Sequence, residues 1–226
     1  MLITTVFDTG AALYDATRKR LETIAEKAAD TPTAALLPGG NTPKPLFADI
    51  AATPFPLGSA FHIGYTDERH VSEDNPANNH GQAIPMLDAL GVAPERVLRV
   101  HTELPLEEAA SKYHESWRSF FDQGGMLALA LLGLGADGHT CSLFSEAQIA
   151  DCPSDRYAVA VNREADFNRV TVTSTLLVRA CHVIILATGR EKAAVVDAML
   201  QPNSRTPAAL AVADCARVSL WYAHEA

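Results

Sequence analysis

Leu127-Ala128-Leu129-Ala130-Leu131-Leu132, running into Gly133-Leu134-Gly135-Ala136-Asp137-Gly138-His139, decides the fold. The apolar run shows no polar alternation, so it suits a strand buried on both faces, as in parallel sheets covered by helices. It is too short to cross a bilayer and is broken by glycines. It then empties into a polar, glycine-rich loop, and the carboxyl ends of strands are where open α/β sheets bind ligands.

The same design repeats on either side. Apolar, β-branched runs predict strands at 33–37, 60–65, 96–100, 157–161, 169–173, 182–187 and 218–222. Helical spacing runs from Asp8 or Thr9 to Ala29, with Leu13, Thr17, Leu21, Ile24 and Ala28 on one face. Further helices are expected from Pro43 or Pro45 to Ala52, at 82–90, 106–121 and 191–200, and briefly after Pro207. No repeat or linker divides the chain. The expectation is one α/β domain over 1–226, three layers deep, with a mainly parallel, Rossmann-like sheet flanked by helices.

The 226 residues hold 18 Lys plus Arg against 27 Asp plus Glu, a net charge of −9 that argues against nucleic-acid binding. Any anionic ligand must be held by few, local cations. The first residues lack a basic n-region, so no secretory signal is expected. Cys141, Cys152, Cys181 and Cys215 lie far apart with no CxxC pair, which predicts reduced thiols in a cytoplasmic protein.

Four polar clusters fall at expected strand ends: Gly39 to Thr42, Asp67 to Arg69, Gly133 to His139, and Gly189 to Lys192. In Gly39-Gly40-Asn41-Thr42-Pro43 the glycines permit a tight turn with exposed N–H groups, and the following helix presents its positive end. A phosphate would fit there; the same residues would equally make a plain strand-to-helix turn capped by Asn41 or Thr42. Gly133-Leu134-Gly135-Ala136-Asp137-Gly138 matches GxGxxG by letter. Asp137 would oppose a pyrophosphate, however, and the segment that follows is a poor helix interrupted by Pro153.

Gly39-Gly40-Asn41-Thr42-Pro43, Thr66-Asp67-Glu68-Arg69, the block Asp137-Gly138-His139-Thr140-Cys141-Ser142-Leu143-Phe144, Arg169-Val170-Thr171 and Gly189-Arg190-Glu191-Lys192-Ala193 occur in one order. In that order they resemble the 6-phosphogluconolactonase family, in the superfamily shared with glucosamine-6-phosphate deaminase/isomerase. The resemblance covers nearly the whole chain. Ser142-Leu143-Phe144-Ser145 stands where deaminases typically carry a Phe-Asn-Glu-Pro segment, and Arg69 where they usually carry Tyr, so the chain is similar to the lactonase branch. Asn41, Cys141, Ser145 and His224 depart from the family's usual residues.

The resemblance implies hydrolysis of a phosphorylated sugar lactone, with His139 as base for the attacking water. Asp67 and Asp137 would orient His139 or the sugar hydroxyls, and Arg69 would polarise the carbonyl or face the developing negative charge. Arg169 and Lys192, with Gly39, Gly40, Asn41 and Thr42, would grip the phosphate. Structural alternatives stand beside these roles: an ion-pair network for Asp67 and Arg69, loop capping for Asp137. Lys192 is expected in the first turn of a helix, where a cation is unfavourable unless an anion compensates. Cys141 is read as packing, His62 and His182 as core or sheet residues, and His80, His101 and His114 as surface. No metal, cofactor, nucleic acid or membrane is expected. Deamination or isomerisation of an amino-sugar phosphate, or a non-catalytic sugar-phosphate-binding regulator, are the other readings.

Overall fold

The computed structural model describes residues 2–164 and 166–225. In chain order the elements begin β1 (Leu2–Phe7), α1 (Gly10–Lys27), β2 (Thr33–Leu37), α2 (Lys44–Ala52), β3 (Phe61–Tyr65), β4 (Asp67–Arg69) and α3 (Asn79–Leu90). They continue with β5 (Val97–Leu98), α4 (Leu106–Asp122), β6 (Met126–Gly133), α5 (Glu146–Ala150), β7 (Ala158–Val161), β8 (Arg169–Val172) and α6 (Ser174–Leu177). β9 (Val183–Thr188), α7 (Ala193–Leu200), α8 (Pro207–Ala211) and β10 (Val218–Ala223) follow.

Seven strands pair in the order β1-β10-β9-β6-β2-β3-β5, every pairing parallel. The expected parallel α/β sheet is therefore present, and its carboxyl ends share one edge. Side chains alternate between two cores: Val183, Ile185 and Ala187 of β9 face Tyr113 and Trp117 of α4. Ile184 and Leu186 face Leu13, Leu21, Leu46 and Ile50 of α1 and α2. On β6, Leu127 and Ala130 share the α4 side because the pairing with β2 slips one residue between Ala34 and Ala35. A Cβ on Gly64 would overrun the Trp117 indole, so glycine there lets α4 seat close on β3.

The sequence reading differs from the structure in instructive places. The strands expected at 157–161 and 169–173 do not join the main sheet; they form a separate antiparallel sheet, β4-β8-β7. Its third member, Asp67–Arg69, is entirely charged, a pattern that marks a strand end rather than a strand. β1 went unread because it is an edge strand exposed over its four central residues, with no buried-face pattern to see. α3 begins at Asn79 rather than 82, because the Asn78 side chain accepts from Gly81 N at 2.8 Å. Lys192 closes a short 3₁₀ turn immediately before α7 rather than lying in its first turn. His114, expected on the surface, is buried because its Nδ1 accepts from Tyr157 N at 3.1 Å, joining α4 to β7. His80 is half-buried, 3.0 Å from the Tyr65 hydroxyl.

Candidate active site

Because β2, β3, β6 and β9 run parallel, the four polar clusters that follow them meet at one edge of the sheet. Gly39, Gly40, Asn41, Thr42, Asp67, Arg69, Asp137, His139, Arg169 and Lys192 all line a single cleft of about 710 Å³. The sequence offered these residues from five separated segments, and the fold brings them to one place.

The β6 loop holds His139 half-exposed at the cleft wall. Three contacts shape it: Gly135 N donates to His139 O at 2.8 Å, Thr140 Oγ1 donates to Gly133 O at 2.8 Å, and Ala208 N donates to Gly138 O at 2.8 Å. A Cβ at Gly135 would strike the imidazole, so the ring rests directly on backbone. Nδ1 of His139 lies 2.5 Å from Asp137 Oδ1. Partial burial pushes the Asp137 carboxyl up, but hydrogen bonds from the His139 ring and backbone outweigh it and hold the group below its ordinary value. An ionised carboxylate only accepts, so Nδ1 is the ring nitrogen that donates, and in the neutral imidazole the lone pair falls on Nε2. That tautomer suits a base.

Asp67 has other partners. It is buried, and its Oδ2 accepts from Ser142 Oγ at 2.7 Å while Oδ1 accepts from Thr66 Oγ1 at 3.0 Å. It therefore ties β4 to the β6 loop and does not orient His139. Glu68 accepts three backbone donors, from Arg69 N at 2.8 Å, Asn79 N at 2.6 Å and His80 N at 2.8 Å. Burial nevertheless pushes its carboxyl up to about 7. Asn79 passes the connection on: its Nδ2 donates to Asp67 O at 2.9 Å and its Oδ1 faces Gly40 N at 3.4 Å. Cys141 is buried and its thiol is pushed well up by desolvation, so it is not a nucleophile as it stands.

The cations divide by location. Arg69 and Arg169 stand opposite each other in the β4–β8 register. Arg69 Nη1 donates to Ala77 O at 2.9 Å, and its Nη2 reaches the glycine turn, 3.6 Å from where a Gly40 Cβ would stand. This places Arg69 beside the Gly39–Thr42 turn. Arg169 is buried, with Nη2 2.5 Å from Asp166 Oδ2 and Nη1 on Phe167 O. Gly40 takes a φ of +81°, in the turn that Arg69 Nη2 approaches. The sequence assigns no role to Asn79 or Arg163, and Ser142 and Phe144 enter there only through the block that carries the resemblance. Asn79 acts through backbone contacts without a local signature, whereas Arg163, a cation just past β7, is open to the same strand-end logic as the other clusters. Among the described residues no group of three or more His, Cys, Asp or Glu is arranged to hold a metal ion.

A parallel α/β sheet with a histidine–aspartate pair and clustered cations at its carboxyl edge defines a protein built to act on a small anionic ligand. A profile of the family described as glucosamine-6-phosphate isomerases/6-phosphogluconolactonase matches residues 8–221. A human protein named 6-phosphogluconolactonase is 33% identical over 179 residues, covering 76% of this chain and 69% of the relative. One from Synechocystis is 33% identical over 199 residues, covering 85% and 80%. The crystal structure of 6-phosphogluconolactonase from Thermotoga maritima superposes with a TM-score of 0.82 at 25% identity, covering 99% of this chain and 100% of that one. The chain belongs to the glucosamine-6-phosphate isomerase/6-phosphogluconolactonase family.

Proposed function

We propose that this protein, acting as one domain over 1–226, hydrolyses 6-phosphoglucono-δ-lactone to 6-phosphogluconate, the lactonase step of the pentose phosphate pathway. The observation that carries the reading is the contact of His139 Nδ1 with Asp137 Oδ1, set in a cleft that also holds Arg69, Arg169 and the glycine turn. The names of the relatives and the Ser142-Leu143-Phe144 continuation support the lactonase branch over the deaminase branch. All four thiols are free, which suits a reducing cytoplasm.

The phosphate sits on the N–H groups of the Gly39–Thr42 turn, the amino end of α2, and the guanidinium groups of Arg69 and Arg169, with Lys192 as a further point charge. This grip, remote from the reacting carbon, converts attack into an oriented, effectively unimolecular event. Nε2 of His139 takes a proton from water as its oxygen bonds to C1, and the carbonyl electron pair moves onto oxygen. Collapse re-forms the carbonyl and breaks the bond from C1 to the ring oxygen, which receives the proton from Nε2. Asp137 stabilises the imidazolium in between, and a base in this role is worth typically 10²–10⁴-fold.

The test follows loss of freshly made lactone above its spontaneous hydrolysis, with the wild type and His139→Ala. Acceleration lost in the variant supports the reading. A wild type that binds phosphosugar without acceleration is a regulator, and ammonia release from glucosamine 6-phosphate would place it in the deaminase branch.

A further inference from the structure

Resting on that reading, we infer that Arg163 is the cation of the reacting end. Its guanidinium receives the oxygen on C1 as carbonyl in the lactone, as oxyanion in the tetrahedral species and as carboxylate in the product.

The argument starts from placement. Arg163 follows β7, lines the cleft and lies over the Phe144 ring, 3.9 Å from its centroid. The Phe144 ring in turn packs against the His139 imidazole, with centroids 4.7 Å apart. Arg163 thus shares one aromatic neighbour with the proposed base. The other two guanidinium groups of the cleft are placed elsewhere: Arg69 and Arg169 face each other across β4 and β8, with Arg69 at the glycine turn.

Arg163 is also uncommitted. Its Nε is shielded from solvent and has no hydrogen-bond partner among the described residues. Asp166, the acid of the same loop that lines the cleft, is bonded to Arg169 instead. A shielded donor without a partner, as Nε is, is costly to maintain, and an anionic oxygen bound to this group offsets that cost. Contact with the Phe144 ring restrains the group, whose flat, forked N–H edge matches two carboxylate oxygens. As water attacks, the electron pair leaving the C=O bond comes to rest on the oxygen held by that edge. The donor strengthens as charge grows, which favours the transition state over the ground state.

Two ligands that differ only at C1 test this. 6-Phosphogluconate carries the product carboxylate; glucitol 6-phosphate has the same phosphate and hydroxyls with an uncharged alcohol at C1. Both are titrated calorimetrically into the wild type, Arg163→Gln, Arg163→Lys and Lys192→Ala, with thermal unfolding recorded for each. Arg163→Gln is expected to weaken 6-phosphogluconate about 10- to 100-fold while leaving glucitol 6-phosphate within about twofold. Arg163→Lys should restore part of the loss, and Lys192→Ala should weaken both ligands alike. In the lactone assay Arg163→Gln should lower kcat about 10- to 100-fold with a smaller change in KM. Equal loss for the two ligands, or none for either, overturns the inference. A wild type that binds the pair with the Arg163 difference intact but hydrolyses no lactone overturns only the proposed activity; one that binds neither ligand overturns both.

Discussion

Arg69 and Arg169 are direct cross-strand partners in the β4–β8 pairing. Like charges so placed repel, and neither sits in open solvent, so the pair is a strained arrangement that an anion between them relieves. Burial presses the Arg169 pKa down, the nearby Arg69 charge adds to this, and Asp166 only partly opposes it. Inorganic phosphate should therefore raise the melting temperature of the wild type. At about 100 times its Kd a ligand contributes about 2.7 kcal/mol. Arg169→Ala should lose most of that shift and raise KM for the lactone about 10- to 100-fold. A phosphate response unchanged in the variant would remove Arg169 from the grip.

Asp137→Asn isolates the role of the tautomer. The amide is isosteric, but its NH₂ can donate to Nδ1, which drives the proton to Nε2 and removes the base from the cleft. The expected outcome is a kcat lower by about 10²–10³-fold with KM nearly unchanged, since no phosphate contact is lost. A KM effect of similar size to the kcat effect would mean that Asp137 holds substrate rather than the imidazole.

These two cases show what the sequence could carry. Parallel strands announce themselves through uninterrupted apolar runs such as Leu127 to Leu132, and their carboxyl ends mark the cleft in advance. Four of the five segments were therefore readable from strand ends, and the fifth, at Arg169, only from the family resemblance. What was not readable was the division of labour inside the cleft. Asp67 and Asp137 are chemically identical in the sequence, yet one is buried against Ser142 and the other holds His139, because β4 pairs with β8 instead of ending as a loop. A three-residue charged strand has no hydrophobic period to betray it. The contacts that let Asn79 and Glu68 tie the cleft together reach backbone 11 to 39 residues away in sequence, for which no local pattern exists.

Glu68 supplies a pH prediction. Its folded pKa is about 7, above the ordinary carboxylate value, because burial outweighs three backbone donors. The folded state therefore holds more protons than the unfolded state between about pH 4.5 and 7. Stability from this group is fully present below that window and declines as pH rises through 7. Glu68→Gln keeps one acceptor oxygen and cannot ionise, so its stability should fall less steeply than that of the wild type across the same range. The difference in slope, read from urea unfolding at several pH values, integrates to on the order of 1–3 kcal/mol. Parallel pH profiles for the two proteins would show that Glu68 titrates normally in the fold.

Two glycines with different reasons for being glycine give the last prediction. At Gly39 a Cβ would occupy the space of the Asn79 amide, the group that faces Gly40 N and bonds Asp67 O. Gly39→Ala must therefore push the turn and Asn79 apart, displacing the N–H groups proposed to face the phosphate. KM for the lactone should rise about tenfold or more, with kcat at saturation less affected because His139 and Asp137 are untouched. Gly91, by contrast, ends α3 with a φ of +65° in open space. Gly91→Ala should cost about 1 kcal/mol of stability through the left-handed backbone while leaving KM unchanged. Measuring both variants for melting temperature and steady-state kinetics separates a displaced site from general destabilisation. If Gly39→Ala lowers stability but keeps the wild-type KM, the glycine turn does not carry the phosphate.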